Sequence, residues 1–241
     1  MNALNPQYTA MLAATLLAGA APIASAQVAP VRSSLDTRSE IGLTVVDLTD
    51  EQTRFDDLGA MTSDLGPHST PVLISSADGV YTANTTGSAL FADAANGTFA
   101  STQTYDGNQA PGDGTAQAFL TTLSSTLEYD FTLTGEGSIR FQGTLANSGP
   151  SFISFTARIN VLSEFMPGTG FTGSFFEELF TDQTSAGPTP FDITVPLTAA
   201  SGSYRVQIRL NHSASSTLET LAQFGSTTID WTITAPTACP G

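Results

Sequence analysis

Apolar residues occupy every second position in five stretches of the chain, at 127–133, 153–161, 191–197, 204–210 and 229–233. The positions between them hold mainly Thr, Ser, Asn, Asp and Arg. Because successive side chains on a β-strand point to opposite faces, this period of two predicts strands with one apolar and one polar face. Such strands bury their apolar faces by stacking two antiparallel sheets. We therefore predict an all-β fold: an antiparallel β-sandwich, jelly-roll-like, with about ten strands.

Turn signals divide the first half of the chain into further strands. Asp78-Gly79 lies between VLISS (72–76) and GVYTANT (79–85), a combination that predicts a β-hairpin. Another strand is predicted at 97–105. The Gly- and Pro-rich segment 106–115 that follows it is predicted to be a loop.

The N-terminal segment has the features of a secretory signal peptide. Residues 1–26 contain no charged side chain, and their apolar run ends at Ala24-Ser25-Ala26, which fits a cleavage site before Gln27. The run is too short to span a bilayer, and no later stretch of the printed sequence is long and apolar enough to do so. The expected location is therefore extracellular or at the cell surface, without membrane insertion.

The remaining chain divides into three predicted parts. The polar residues 27–40 are expected to form a flexible lead-in, residues 41–235 the β-sandwich domain, and residues 236–241, which include Cys239, a disordered tail. Within the domain, the acid-rich segment 50–66 leaves two alternatives open, a short helix or an acidic loop.

Composition and charge restrict the partners. The chain has 241 residues, 36 Thr, 25 Ser, no Lys, and 7 basic against 22 acidic residues, which gives a net charge of −15. This acidity argues against nucleic acid and anionic membranes as partners. With 2 His and 1 Cys, a His/Cys zinc site, an iron–sulfur cluster and a disulfide framework are excluded or disfavoured.

The stretch PLTAASGSYRVQIRLNHSASS, which begins at Pro196, is similar to the L-x-x-G-x-Y-x-L-x-x-x-x-x-A-S strand of a bacterial group. Together with the signal peptide and the Ser/Thr/Ala-rich segment from Ser75 to Thr104, it resembles the secreted β-sandwich proteins that often carry a C-terminal PEP-type sorting signal (PEP-CTERM-like). The sorting signal itself is absent. The resemblance implies an exported β-sandwich and supplies no reaction.

One segment offers oxygen ligands for a hard cation. Asp106, Asn108 and Asp113 lie within one Gly/Pro-rich stretch, and clustered carboxylate and amide oxygens are the ligands that calcium prefers. An EF-hand is excluded because Gln117 stands where that loop needs Glu. A looser calcium site and an ordinary turn are the two alternatives, and no other cofactor is indicated.

No set of residues forms a catalytic signature. Glu177 and Glu178 are adjacent, so on a strand they point to opposite faces and cannot form one acid–base pair. A second carboxylate would have to come from elsewhere in the chain, and the candidates are Glu164, Asp182, Glu128 and Asp130. His68 is predicted in a loop and His212 on an apolar strand face, and no nucleophile elbow is present. We therefore assign no catalytic residue.

The sequence thus favours a secreted, non-enzymatic β-sandwich with a role at the cell surface or in the extracellular matrix. A sheet face dense in Thr, Ser, Asn and Arg suits polysaccharide binding or self-association. The alternatives are a polysaccharide-acting enzyme (glycosidase or lyase) on a jelly-roll scaffold and a self-assembling surface or fibre subunit.

Overall fold

The fold is described by a computed structural model over residues 27–43, 47–57, 68–75, 81–108, 119–148, 154–166, 170–181, 188–199, 202–216 and 220–235. Every regular element in these ranges is a β-strand. The strands are β1 (Val28–Leu43), β2 (Asp47–Asp57), β3 (His68–Ser75), β4 (Tyr81–Phe91), β5 (Asn96–Asn108), β6 (Phe119–Leu133), β7 (Gly137–Ser148), β8 (Ser154–Met166), β9 (Gly170–Thr181), β10 (Thr189–Leu197), β11 (Ser203–Ser216) and β12 (Thr220–Thr234).

The strands form two antiparallel sheets of six. Sheet 1 has the order β2-β1-β6-β11-β8-β9, and sheet 2 the order β10-β7-β12-β5-β4-β3. The chain passes from one sheet to the other after β2, β5, β6, β7, β9, β10 and β11, an alternation typical of jelly-roll sandwiches. The predicted all-β antiparallel sandwich is confirmed, with twelve strands where the sequence predicted about ten.

The core lies between the sheets and contains the apolar phase of each alternating strand. Trp231 of sheet 2 lies with its ring centroid 5.5 Å from that of Phe91 and 6.3 Å from that of Tyr129 in sheet 1. Each such ring is almost fully buried, and burying a large apolar side chain contributes roughly 1.5–3 kcal/mol. The alternation read from the sequence therefore identifies the inward face of these strands correctly.

Two predictions for the N-terminal part of the domain are wrong. Residues 28–43, expected mostly as a flexible lead-in, form β1, which pairs with both β2 and β6. Residues 50–57, expected as a helix or loop, lie in β2. The inward face of β1 is largely polar, which hides the strand pattern: Ser39 Oγ is buried but donates to Thr85 Oγ1 on β4 at 2.9 Å.

Further predictions differ at the ends of strands. β3 and β4 pair as the hairpin prediction requires, while the Asp78-Gly79 turn lies outside the described residues. His68, predicted in a loop, begins β3, and 106–108, also predicted as loop, end β5. The predicted signal peptide and C-terminal tail lie outside the described residues as well.

The connection from β6 to β7 is a short turn. Gly135 has a φ of 88°, a left-handed conformation that costs glycine little, and it reverses the chain where β6 ends in sheet 1 and β7 begins in sheet 2. Across the described ranges, no helix is long and apolar enough to cross a membrane.

Candidate functional site

Five arginines lie on the outer face of sheet 1, although they are far apart in the sequence and belong to three strands. Of the six arginines whose side chains the structure describes, only Arg140 belongs to sheet 2. We call this outer surface the arginine face. Its charged residues with described side chains are Arg32, Arg38, Arg158, Arg205, Arg209, Asp36, Glu40, Glu128 and Asp130. Among these described residues, five positive charges stand against four negative ones.

Arg205 is the centre of an ion-pair cluster on this face. Its guanidinium donates to both carboxylate oxygens of Asp130, at 2.6 and 2.9 Å, and lies 3.0 Å from Glu128. Arg32 approaches Asp130 from the other side at 3.4 Å. The hydrogen bonding to Asp130, together with the negative charges of Asp130 and Glu128, raises the pKa of Arg205. We call these four residues the Arg205 cluster, and their charges sum to zero.

Neighbouring side chains hold the cluster in place. Gln207 donates to Glu128 at 2.9 Å and accepts from Asn160 at 3.2 Å, while the Phe171 ring lies 5.1 Å from the Arg205 guanidinium carbon in a cation–π contact. The strand pairing of β8 and β9 places Glu177 opposite Asn160. Of the carboxylates that the sequence proposed as partners for Glu177 and Glu178, Glu128 and Asp130 thus belong to one ion-paired cluster.

A cavity of about 200 Å³, partly open to solvent, lies beside the Arg205 cluster. It is lined by Val31, Asp130, Phe131, Thr132, Phe171 and Ser203. Val31 is the residue at which the pairing of β1 with β6 shifts by one, and its side chain is 44% exposed. The irregularity in β1 therefore presents an apolar side chain at a cavity that also has a carboxylate in its wall.

The outer face of sheet 2 is chemically different. On the outer face of β4, β5, β7 and β12, Asp106 and Arg140 lie toward the two ends of the strands. Between them, sixteen outward residues form the four rows that cross all four strands. We call them the threonine face. They are Leu90, Thr98, Asp230, Gln142, Ser88, Ala100, Thr228, Thr144, Thr86, Thr102, Ser226, Ala146, Asn84, Thr104, Phe224 and Ser148.

Asp230 is the single charged residue among these sixteen, and nine of them carry a hydroxyl group. Strand geometry spaces the rows by about 6.7 Å along the strands and neighbouring residues in a row by about 4.8 Å. The hydroxyls of Thr86 and Ser88 lie 3.4 Å from the carbonyl oxygens of Thr102 and Ala100. They therefore donate to the backbone of β5, and the lone pairs of the hydroxyl oxygens stay available to a ligand. Leu73 and Leu90, 67% and 50% exposed, add apolar surface at the edge.

His212 is fully buried between the sheets. Its Nδ1 lies 2.6 Å from Gln103 Oε1 and its Nε2 lies 3.1 Å from Asn147 Oδ1. Gln103 Nε2 donates to the Leu210 carbonyl, which fixes Oε1 toward the ring. Gly225 provides the space, since a Cβ there would lie 1.7 Å from His212 Cε1. Burial lowers the pKa of His212 to about 3, so the ring is neutral at physiological pH.

The predicted calcium ligands are not brought together by the described strands. Asp106 and Asn108 lie at the end of β5, and Asp113 lies outside the described residues. Within the ranges that the structure covers, no group of three or more His, Cys, Asp or Glu residues is placed to hold a metal ion. The calcium site thus stays a prediction.

The burial of the aromatic side chains agrees with the sequence-based prediction, with one exception. Trp231, Tyr204, Tyr129 and Phe141 are buried, as their strand phase predicts. Tyr105 ends the strand predicted at 97–105, and this position beside a turn predicts exposure, yet it is 1% exposed because β5 continues past it. The Phe171 contact and the cavity leave no signal in the sequence, because their residues come from four different strands.

Comparisons with known proteins assign the chain to no family. No protein-family model matches the chain, and no curated protein matches it. Among solved structures, the K3 adhesin domain of Lys-gingipain from Porphyromonas gingivalis is 19% identical, with 51% of this chain and 78% of that chain covered at a TM-score of 0.25. The enzymatically active domain of tailspike protein 4 from bacteriophage CBA120 is 14% identical, with 55% and 18% covered at 0.25. Neither similarity is close enough to support an argument about this protein.

Proposed function

We propose that this protein is a secreted, non-enzymatic β-sandwich that binds neutral polysaccharide at the cell surface or in the extracellular matrix, through the threonine face. The observation that carries the proposal is the single charge among sixteen outward positions in a chain of net charge −15. The signal-peptide pattern before Gln27 supports export.

The chemistry of the face matches that of a sugar polymer. Pyranose rings present apolar C–H surfaces and hydroxyl groups side by side, and threonine offers a methyl and a hydroxyl on one carbon. Each hydrogen bond contributes only about 0.5–1.5 kcal/mol net, so affinity comes from many contacts along a chain. Exposed Leu90 and Phe224, 50% and 37% exposed, contribute apolar contact area.

The proposal is tested by adsorption to insoluble neutral polysaccharides, with cellulose, chitin and starch granules as probes. The double variant Thr102→Glu/Thr228→Glu places two carboxylates on the threonine face and is expected to weaken adsorption at least tenfold, because a charge in a contact loses hydration. Thr126→Glu, the same change on the outer face of sheet 1, is the matched control and should adsorb like wild type. Equal adsorption of all three proteins, or none by wild type, would overturn the proposal.

The enzymatic alternative is measured on the same samples. Release of reducing or unsaturated sugar ends by the purified protein, abolished by Glu177→Gln or Glu178→Gln, would replace the binding function by catalysis. Glu128 and Asp130 are both ion-paired with Arg205, which holds them in their ionised form and disfavours either as the general acid of such an enzyme.

The edge strands of sheet 2 are poorly suited to self-assembly. Pro71 lies in the edge strand β3, and Pro190 and Pro196 lie in the edge strand β10. Proline removes a backbone N–H donor and blunts a strand edge against pairing with another copy. Copies that assemble edge to edge are therefore expected to use sheet 1.

A further inference from the structure

The cavity beside the Arg205 cluster is a second feature with the geometry of a ligand site. It lies on the arginine face, on the opposite side of the sandwich from the threonine face. Its walls come from β1, β6, β9 and β11, with Val31 and Phe171 as apolar surface and Asp130, Thr132 and Ser203 as polar groups, while the ring of the lining residue Phe131 lies in the core. A concave apolar site with a few convergent polar groups is the usual form of a small-ligand site.

The polar wall of this cavity is rigid. Asp130 is 6% exposed and is held by Arg205 through two hydrogen bonds and by Arg32 at 3.4 Å. The Phe171 ring packs on the Arg205 guanidinium. The carboxylate and the ring therefore keep one geometry before any ligand arrives, which lowers the ordering cost of binding.

We propose that this cavity binds a single terminal sugar unit of a neutral polysaccharide. Its volume of about 200 Å³ corresponds to roughly seven waters at about 30 Å³ each, the scale of one sugar ring. Phe171 and Val31 offer surfaces for the C–H groups of the ring, and Asp130 and Thr132 offer partners for its hydroxyls. Because the charges of the Arg205 cluster sum to zero, a neutral sugar fits better than a uronic acid.

This inference shares with the proposed function only the class of ligand, since the two surfaces have no residue in common. If both bind, one copy holds a polymer chain on each side of the sandwich. Such a protein cross-links polysaccharide chains, a role that suits an extracellular matrix.

The test uses free glucose, galactose, mannose and N-acetylglucosamine as probes, with binding measured by saturation-transfer NMR and titration. We expect millimolar binding of at least one sugar. Phe171→Ala should weaken it roughly tenfold, as loss of an aromatic contact worth about 0.5–1.5 kcal/mol beyond its buried area allows. Thr132→Trp, a change at an exposed position in the cavity wall, fills the cavity with an indole ring and should abolish binding.

Phe224→Ala on the threonine face is the matched aromatic control and should bind the sugar like wild type. Absence of saturation transfer for all four sugars would overturn the inference, and so would binding that Phe171→Ala and Thr132→Trp leave unchanged. The variant Thr102→Glu/Thr228→Glu separates the two proposals: it should lose polymer adsorption and keep sugar binding. Sugar binding without polymer adsorption in wild type would count against the proposed function alone.

Discussion

The two outer faces of the sandwich are built from strands with the same alternation, yet they differ in charge and shape. Among the residues that the structure describes, the arginine face holds nine charged side chains, ion pairs and a cavity, whereas the threonine face holds one charge in sixteen positions. Both faces are the polar phase of their strands, so hydropathy does not distinguish them. The arrangement of the strands in the two sheets, and not the apolar–polar alternation along each strand, therefore determines where the charged residues collect.

The largest expected effect concerns the buried ion pair on the arginine face. Arg205→Met should lower the free energy of unfolding by about 3 kcal/mol, because Asp130 then stays buried with only the more distant Arg32 beside it. Urea denaturation measures this change. The double variant Arg205→Met/Asp130→Leu should recover much of the loss.

Arg140, whose guanidinium pairs with Asp192 on the surface of sheet 2, is the comparison residue for this prediction. Arg140→Met should leave the denaturation curve unchanged, since exposed ion pairs contribute little to stability. A loss as large as that of Arg205→Met would show that the two faces do not differ in how they use charge.

The buried His212, which lies between the two sheets, is expected to lower the free energy of unfolding as the pH falls. In the unfolded chain His212 has a pKa near 6.5, and burial lowers it to about 3 in the folded protein. Below pH 6.5 the unfolded state therefore takes up a proton that the folded state does not, and stability falls by about 1.4 kcal/mol per pH unit. Between pH 6.5 and 5 this contribution amounts to about 2 kcal/mol.

The measurement compares wild type with His212→Gln by urea denaturation at several pH values. The variant should be less stable at neutral pH, because Gln103 and Asn147 lose their partner, and its stability should fall less steeply with acid. Parallel curves for the two proteins would show that His212 is not the group responsible.

Salt should change how densely the protein covers a neutral polymer. Copies bound side by side carry 15 net negative charges each and repel one another at low salt. At about 0.5 M salt the Debye length falls to about 4 Å, which screens this repulsion. The amount adsorbed at saturation on cellulose or chitin should therefore rise with salt. A steady decrease would indicate that charge on the arginine face, and not the threonine face, makes the contact.

The smallest effect is that of one hydroxyl. Thr102→Val keeps the shape of the side chain and removes one hydrogen-bonding group from the threonine face, so polymer affinity should fall about two- to tenfold. Thr126→Val makes the same change on the arginine face and should leave affinity unchanged. Equal losses in both variants would mean that the polymer does not distinguish the two faces.

The sequence by itself determined the class of fold and the inward face of most strands. The alternation from Leu127 to Ile233 predicts buried Tyr129, Tyr204 and Trp231, and all three lie in the core. The alternation failed to predict β1, because the inward face of this strand is largely polar: Thr37 and Ser39 are buried there, and Ser39 Oγ donates to Thr85 on β4. It also failed where β5 continues through a segment with loop composition.

The tertiary structure alone decided which outward residues meet. Arg32, Asp130 and Arg205 are far apart in the chain and become neighbours through the pairing of β1, β6 and β11. The cavity depends on the one-residue shift at Val31, which no pattern in the sequence marks. A period of two fixes which face a residue occupies, but the partner across the sheet is set by register, and register depends on strands that are distant in sequence.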